Sequence, residues 1–357
     1  MFLTSFFDTT PMIIILFILG LLLIIKGGDW FVDASTWIAE KSGIPKFIIG
    51  ATIVSIATTL PELIVSIIAA AEGHGLLVSG DEAAALSSVD MAIGNAIGSV
   101  NANTGLIMAI SLIAIPATIK RKEFWVKPVL LMTTIVLLFL ACLNGELKVF
   151  GAIVVLLMLV VFFVENTITA KKHIGLKEED EQVEEEVIED EKKSKDPFKL
   201  LARKNEIVAN ILMFVIGAAG IVLGARLLVD KGTQIATMLN VPTKIIALTM
   251  VAIGTSLPEL VTTVSAIVKK QSDLSVGNIF GANLIDMALI LPVCSFIFGA
   301  GLPVNNNVLY LDMTFALGLS MVAIIPTLIR GKFSRLQGIG LFIVYVAYIV
   351  LSSILVL

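Results

Sequence analysis

The chain has 357 residues, of which 57% are hydrophobic and 15% are charged, and its formal net charge is -4. Soluble globular domains carry about 25% charged residues, so this composition excludes an ordinary soluble protein and indicates a polytopic membrane protein. The sequence shows no nucleophile with a paired base, no phosphate-binding loop and no basic nucleic-acid patch. We therefore expect neither an enzyme nor a cofactor, no nucleic-acid partner, and a lipid bilayer as the surroundings.

Ten membrane-spanning helices are predicted, because the apolar residues come in runs of about 20, the length that crosses a bilayer. Their expected positions are about 11–33, 44–71, 90–117, 126–144, 148–169, 206–229, 241–268, 273–299, 306–329 and 336–356. No small-residue cleavage site follows the first run, so a retained helix is expected there. Cys142 and Cys294 lie inside apolar runs and are interpreted as single buried thiols.

The distribution of Lys and Arg predicts which connections face the cytoplasm. Basic residues lie between spans one and two, three and four, seven and eight, and nine and ten, whereas 73–89 and 300–305 contain none. Both termini should then face the outside of the cell (inner) membrane. Lys231 and Lys244, between spans six and seven, are discordant charges.

A highly charged segment, Lys171 to Lys204, separates two apolar halves and carries the block E-E-D-E-Q-V-E-E-E-V-I-E-D-E. Such a run is typical of a solvated or disordered linker, and the alternative is a regulatory cation-binding role. The expected organisation is a first five-helix repeat at 1–170, an acidic cytoplasmic linker at 171–205 and a second five-helix repeat at 206–357.

The two halves of the chain align with each other. One offset matches Gly27 with Gly224, Asp33 with Asp230, Pro45 with Pro242 and Glu62 with Glu259, and a second matches Asp90 with Asp273, Asn95 with Asn278 and Leu106 with Leu289. The offsets differ by an insertion near His74 to Ser88. Because each half has five spans, the second must enter the membrane in the opposite sense. Inverted repeats place a shared site near the membrane midplane.

The motif T-T-L-P-E in one half and T-S-L-P-E in the other is costly inside a bilayer, because it combines a carboxylate with a helix-breaking proline. A proline cannot donate a backbone hydrogen bond and crowds the carbonyl one turn earlier, so carbonyls near the first threonine are freed. These oxygens and the nearby hydroxyls suit hard cations such as calcium and sodium. The residues concerned are Thr58, Thr59, Pro61, Glu62, Thr255, Ser256, Pro258 and Glu259.

A second repeated motif reads G-N-A-I-G-S in one half and G-N-I-F-G-A in the other. Its small residues, Gly94, Gly98, Gly277 and Gly281, favour close helix packing. Asn103 and Asp286 follow one turn after Ser99 and Ala282, on the face expected to meet the glutamates. A zinc site is not expected, because His74 and His173 are both predicted in loops and belong to no ligand-spaced cluster.

At these motifs the sequence resembles the cation/calcium exchanger superfamily, and most closely its sodium/calcium exchanger branch. The resemblance covers nearly the whole chain apart from the acidic segment and the insertion. It implies a central calcium site made by Glu62 and Glu259 with the backbone carbonyls of Thr58 and Thr255. It also implies flanking sodium sites formed by Thr59, Ser256, Ser99, Asn103 and Asp286. The calcium/proton branch typically places an acidic residue directly after G-N-A, which this chain lacks.

The sequence departs from the family pattern at Ala57, at Val100-Asn101 and at Ala282, which lacks the hydroxyl kept at Ser99. The leading hypothesis is a secondary active antiporter that exchanges calcium for sodium by alternating access. A calcium/proton antiporter on the same fold is the alternative, and a passive cation channel is a further one. The sequence leaves the driving ion and the oligomeric state open.

Overall fold

The computed structural model describes residues 10–116, 125–180, 205–239, 256–299 and 301–356, and nearly all of them are helical. The helices are α1 Thr10–Ser42, α2 Lys46–Ser79, α3 Glu82–Ala114, α4 Val126–Ala141, α5 Val149–Asp180, α6 Glu206–Met238, α7 Leu257–Val268, α8 Ser272–Phe298, α9 Val308–Arg330 and α10 Arg335–Val356. Two short antiparallel strands, β1 Glu146–Leu147 and β2 Leu302–Pro303, pair with Leu147 opposite Leu302.

These ten helices occupy the ten predicted spans, which confirms the all-α polytopic membrane fold. Eight of them are long and apolar enough to cross a bilayer. The other two, α4 and the described part of α7, are shorter. The predicted seventh span began near residue 241, and its part from 240 to 255 lies outside the described residues.

Several helices run further than the sequence predicted, because a helix ends at a stop signal rather than where hydropathy falls. The first-repeat insertion is mostly helical: α2 continues to Gly80, whose φ of 88° ends it. The Asp81 side chain then caps α3 by accepting from the Ala84 amide at 3.1 Å. The prediction that His74 and His173 lie in loops was wrong, since both positions are helical.

The fifth helix also extends beyond its predicted end near residue 169, because α5 continues to Asp180. Its last turns therefore enter the segment interpreted as a linker. Residues 181–204 lie outside the described part of the chain. The division into two repeats and a cytoplasmic linker stays a prediction.

The first helices of the two repeats, α1 and α6, form an antiparallel pair held by glycines. A Cβ atom on Gly20 would lie 3.1 Å from the Gly224 carbonyl oxygen, and one on Gly27 would lie 2.8 Å from that of Gly217. Early positions of one helix thus meet late positions of the other. This is the arrangement that inverted repeats require, and it lets the two backbones touch.

Helices α2 and α8 pack in parallel, with glycines of α8 against the backbone of α2. A Cβ on Gly277 would lie 2.9 Å from the carbonyl carbon of Phe47, and one on Gly281 would overlap the carbonyl oxygen of Ala51. The second helix of one repeat and the third of the other therefore run in the same direction. Successive spans alternate in direction, so the second and third spans of a single repeat run antiparallel to each other. The second span of the first repeat can be parallel to the third span of the second repeat only if the second repeat is inverted.

The centre of the molecule is α8, in which every residue from 274 to 288 is buried. A helix that is buried on all sides lies in the middle of a bundle rather than at its surface. Helices α1, α5, α6 and α10 instead expose large apolar side chains such as Ile15, Leu157, Ile211 and Ile343. The core of α2, α3, α7 and α8 is therefore surrounded by helices suited to lipid.

Replacing Gly277 by Ala should destabilise the protein, because the new methyl group would meet main-chain atoms of Phe47, which cannot turn away. Overpacking of this kind costs about 1–3 kcal/mol. The measurement is thermal unfolding of the purified protein in detergent. Gly318→Ala is the matched control, since nothing lies within 4 Å of its added Cβ; equal stability of the two variants would contradict the close packing.

Candidate cation-binding site

Three carboxylates lie inside the core: Glu62 on α2, Glu259 on α7 and Asp286 on α8, with 1%, 1% and 0% of their surfaces exposed. Both oxygens of Glu62 and Asp286, and one oxygen of Glu259, have no hydrogen-bond partner in the part of the chain that the structure describes. Thr59, one turn before Glu62 on α2, contacts Glu259 on α7 at 3.4 Å, so the two glutamate-bearing helices meet at this site. Among the ion pairs of the described residues, none involves these carboxylates. Such a cluster requires cations or protons to balance its charge.

The helix that carries Glu62 brings its threonines to the opposite repeat. Pro61 lies inside α2, so the carbonyl one turn earlier lacks its helical donor. Thr58 Oγ1 donates to the side-chain oxygen of Asn278 at 3.2 Å, and Thr59 Oγ1 donates to Glu259 Oε1 at 3.4 Å. The site is therefore built at the interface between repeats, as inverted-repeat transporters build theirs.

The second copy of the motif has the same position in α7. Pro258 lies in the first described turn, next to Glu259, and the buried Ser256 immediately precedes the helix. Its hydroxyl lies 3.2 Å from that of Ser99 on α3, so these two predicted site residues are together. Thr255, the fourth residue predicted for the calcium site, lies outside the described residues.

Asn103 and Asp286, at matching positions of the two repeats, each begin a π-helical turn. The turns span Asn103–Ile107 in α3 and Asp286–Ile290 in α8. A π turn interrupts the regular hydrogen-bond ladder and is frequent at functional sites. Asn103 is 1% exposed, and its side-chain oxygen has no partner. Both π turns thus begin at a buried side chain with free acceptor atoms.

The sequence analysis missed two asparagines, Asn95 and Asn278, that hold the site together. Asn95 Nδ2 donates to the Glu62 backbone carbonyl at 3.1 Å and to Ser66 Oγ at 2.9 Å. Asn278 is fully buried and accepts from Thr58. A signal was available, because the pair Gly-Asn occurs at matching places in both halves. The sequence analysis assigns the small residues of that motif to helix packing and considers only the polar residues that follow it, Asn103 and Asp286.

The packing glycines are only partly visible in the structure. Gly277 and Gly281 touch α2, as described above. No described atom lies within 4 Å of a Cβ built on Gly94 or Gly98. By repeat symmetry their neighbours would be at positions 244 and 248, which lie outside the described residues. The packing role of this first-repeat pair stays a prediction.

The donor set around the carboxylates consists of oxygen atoms from carboxylates, hydroxyls, amides and carbonyls. Among the described residues no three His, Cys, Asp or Glu side chains are arranged to hold a metal ion. A bound cation would therefore combine two carboxylates with neutral oxygens. Such a set suits the hard cations calcium and sodium, which take oxygen ligands.

The family model described as sodium/calcium exchanger protein matches residues 12–167 and 209–354. This chain belongs to the sodium/calcium exchanger family. The match leaves out only the chain ends and the segment between the halves. The resemblance seen in the paired motifs is thereby confirmed, and the fold is that of a membrane transporter rather than an enzyme.

Relatives and solved structures support the assignment of this exchanger-family chain. It is 28% identical to the sodium/calcium exchanger MaX1 of Methanosarcina acetivorans, with 94% of this chain and 97% of that protein aligned. It is 31% identical to the inner membrane protein YrbG of Escherichia coli, with 77% of each chain aligned. A structure of the sodium-calcium exchanger NCX_Mj soaked with sodium and strontium superimposes with a TM-score of 0.74 at 27% identity, covering 96% of this chain and 99% of that one.

Replacing Asn95 by Ala should leave the Glu62 carbonyl and the Ser66 hydroxyl without a buried donor. An unsatisfied buried polar group costs about 1–3 kcal/mol, so thermal stability in detergent should fall. Calcium binding should weaken as well, because the turn that carries Glu62 loses its support. Asn306→Ala, at an exposed position, is the control. If Asn95→Ala matches the control in both stability and calcium binding, this positioning role is wrong.

Proposed function

We propose that this exchanger-family protein is a secondary active antiporter that moves calcium in exchange for sodium by alternating access. The observation that carries the proposal is the cluster of three buried carboxylates from both repeats, Glu62, Glu259 and Asp286, which have no basic partner among the described residues. Fixed negative charge at membrane depth is costly and marks an ion pathway. A structural role would instead require a partner for these charges within the fold.

Calcium is assigned to the centre of this cluster. Glu62 and Glu259 supply two negative charges, which balance one divalent cation. The backbone carbonyls of Thr58 and Thr255 complete the proposed calcium ligands. Calcium accepts 6–8 oxygen ligands in a flexible geometry, so carboxylates and carbonyls from two helices can share one ion.

Sodium is assigned to the flanks of the same cluster. The proposed ligands are Thr59, Ser256, Ser99, Asn103 and Asp286. The hydroxyl of Thr59 already contacts Glu259, and Ser99 and Ser256 contact each other. Because Thr59 contacts a carboxylate of the calcium site, sodium bound beside it and calcium would compete for the same negative charge. That competition is the basis of exchange.

Obligatory coupling follows from the cost of an empty closed carrier. A carrier without cations would have to enclose several carboxylates stripped of water, at several kcal/mol for each uncompensated ion. Calcium neutralises the two glutamates, and sodium or protons do the same, so a loaded carrier can close. The moving part would be the α1–α6 pair, which slides across the core of α2, α3, α7 and α8. Calcium would leave the cell against inward sodium, with both termini outside and the acidic segment in the cytoplasm.

A second candidate is calcium/proton exchange on the same fold. Ala282 lies at the position related by repeat symmetry to Ser99 and is fully buried. One hydroxyl that could bind sodium is therefore missing from the second repeat. Asp286, with two unpartnered oxygens, could carry a proton in its place. The choice between sodium and protons rests on the transport experiment below.

Glu62→Gln and Glu259→Gln should each abolish calcium exchange while leaving expression intact. Removing one member of a buried charged set costs about 3–5 kcal/mol, which corresponds to a loss of calcium affinity of more than about a hundredfold. Asp286→Asn should be tolerated better, because it flanks the calcium site. The measurement is calcium uptake by proteoliposomes, with the exposed Glu82→Gln as control. Near-normal transport by either glutamate variant would remove the basis of the two-glutamate site.

Calcium movement in proteoliposomes should follow an imposed sodium gradient when proton and potassium gradients are absent. Efflux from calcium-loaded vesicles should nearly stop when sodium, protons and external calcium are all negligible. Vesicles with Glu62→Gln provide the background rate. A response to the proton gradient alone would support the second candidate. Rapid efflux without any counter-ion would reject obligatory exchange and favour a channel.

A further inference from the structure

Lys269, at the end of α7, joins the core to the α1–α6 pair. Its Nζ lies 2.6 Å from Asp33 Oδ1 and 3.9 Å from Asp29 Oδ1, and it donates to the Asp29 backbone carbonyl at 2.9 Å. Asp29 and Asp33 are one turn apart on α1. One cation of the core therefore holds two carboxylates of the proposed sliding helix.

Lys269, Asp29 and Asp33 form one triad, and repeat symmetry relates it to a second triad with its charges redistributed. The offset that aligns Glu62 with Glu259 relates Lys269 to Glu72 on α2, Asp29 to Arg226 on α6, and Asp33 to Asp230 on α6. Each triad has one cation and two carboxylates. The cation lies on the core helix in one triad and on the sliding helix in the other.

The two triads lie at opposite faces of the molecule. Helices α2 and α8 run in parallel, and Lys269 immediately precedes α8, so it lies at the face where α2 begins. Glu72 lies near the end of α2, at the other face. Positive residues concentrated near the start of α2 suggest that the Lys269 face is cytoplasmic.

Only one of the two triads is joined in this structure. Glu72 and Arg226, both described and both exposed, form no ion pair within 4.0 Å. The packing of the sliding pair against the core is also tighter at the Lys269 face than at the Glu72 face. A Cβ on Gly28 of α1 would lie 2.7 Å from Ser265 Oγ of α7, whereas Ile68, the counterpart of Ser265, is 59% exposed. The sliding pair is thus closed against the core at the Lys269 face and open at the Glu72 face.

We propose that the Lys269–Asp33 contact and a Glu72–Arg226 contact are alternative latches, each formed in one of the two access states. In the state described here the Lys269 latch is closed, and the interface between the sliding pair and the core is open at the Glu72 face. Sliding of the α1–α6 pair breaks this latch and brings Arg226 to Glu72. The inference rests on the proposed alternating access and adds the residues that set the balance between its states.

Charge at these positions should act on the equilibrium between states rather than on the site itself. Glu72 and Lys269 each lie ten residues beyond the site glutamate of their own repeat, Glu62 or Glu259, and so lie away from the site. A partly exposed ion pair changes a two-state equilibrium by about fivefold, and the affinity measured from one side scales with the population open to that side. Each latch therefore shifts the apparent calcium affinities at the two faces in opposite directions.

The first test uses Glu72→Arg, Arg226→Glu and the double variant, in vesicles of both orientations. Each single variant should lose the second latch and weaken apparent calcium affinity at the Lys269 face by about fivefold. The double variant should recover, although the two residues do not touch in this structure. Lys269→Gln should weaken affinity at the Glu72 face instead. Glu82→Arg and Lys270→Gln, at neighbouring exposed positions, are the controls.

A second test needs no transport. Glu72→Cys and Arg226→Cys are combined in the purified protein, where Cys142 and Cys294 are fully buried and do not compete. Oxidation should cross-link the pair, and Lys269→Gln should make the cross-link faster, by up to about fivefold. Absence of a cross-link in both backgrounds, or of recovery in the charge-swapped variant, would overturn the latch. Calcium antiport without a cross-link rejects the latch alone, and a cross-link without antiport rejects the proposed function alone.

Discussion

The structure depends on one constraint, which is that three carboxylates lie at membrane depth with no basic side chain paired to them in the described chain. Glu62, Glu259 and Asp286 could each be neutralised by a lysine, as Glu165 is by the buried Lys127 at 2.9 Å. The described core provides no such lysine for these three carboxylates. Every nearby feature adds neutral oxygens or removes backbone hydrogen bonds: the prolines, the hydroxyls and the two π turns. The fold thus maintains a negative site whose charge is completed from outside.

A second constraint determines what can move. Glycines bring α2 and α8 to backbone contact, and polar side chains on both helices bond across that contact, as Thr58 does to Asn278. The α1–α6 pair is held by its own glycines and meets the core through smaller contacts, such as Gly28 against Ser265. Close-packed interfaces have a few discrete arrangements rather than a continuous range. Two rigid bodies with one interface between them are therefore the natural units of a two-state transporter.

Much of this could be predicted from the sequence, because repetition and hydropathy are local signals. The ten spans, the inversion and the buried glutamates all follow from apolar length and from two copies of one costly motif. The end of α2 and the start of α3 did not follow, since Gly80 ends one helix and Asp81 caps the next beyond the bilayer length. Asn95 and Asn278 did not follow either. Their partners, Glu62 and Thr58, are distant in sequence, and only the tertiary contact shows that the amides support the site.

The two repeats share one order of helices, and differences between their side chains break that symmetry. An inverted repeat makes two states possible by construction, because each half can adopt the conformation of the other. It does not make them equal in free energy. About 1.4 kcal/mol separates a balanced pair of states from a tenfold preference, and one ion pair or one hydroxyl is enough to supply it. Lys269 in place of a glutamate, and Ala282 in place of a serine, are differences of that size. A scaffold of inverted repeats with different side chains can therefore favour the state that opens to one face, while the state that opens to the other face is still populated.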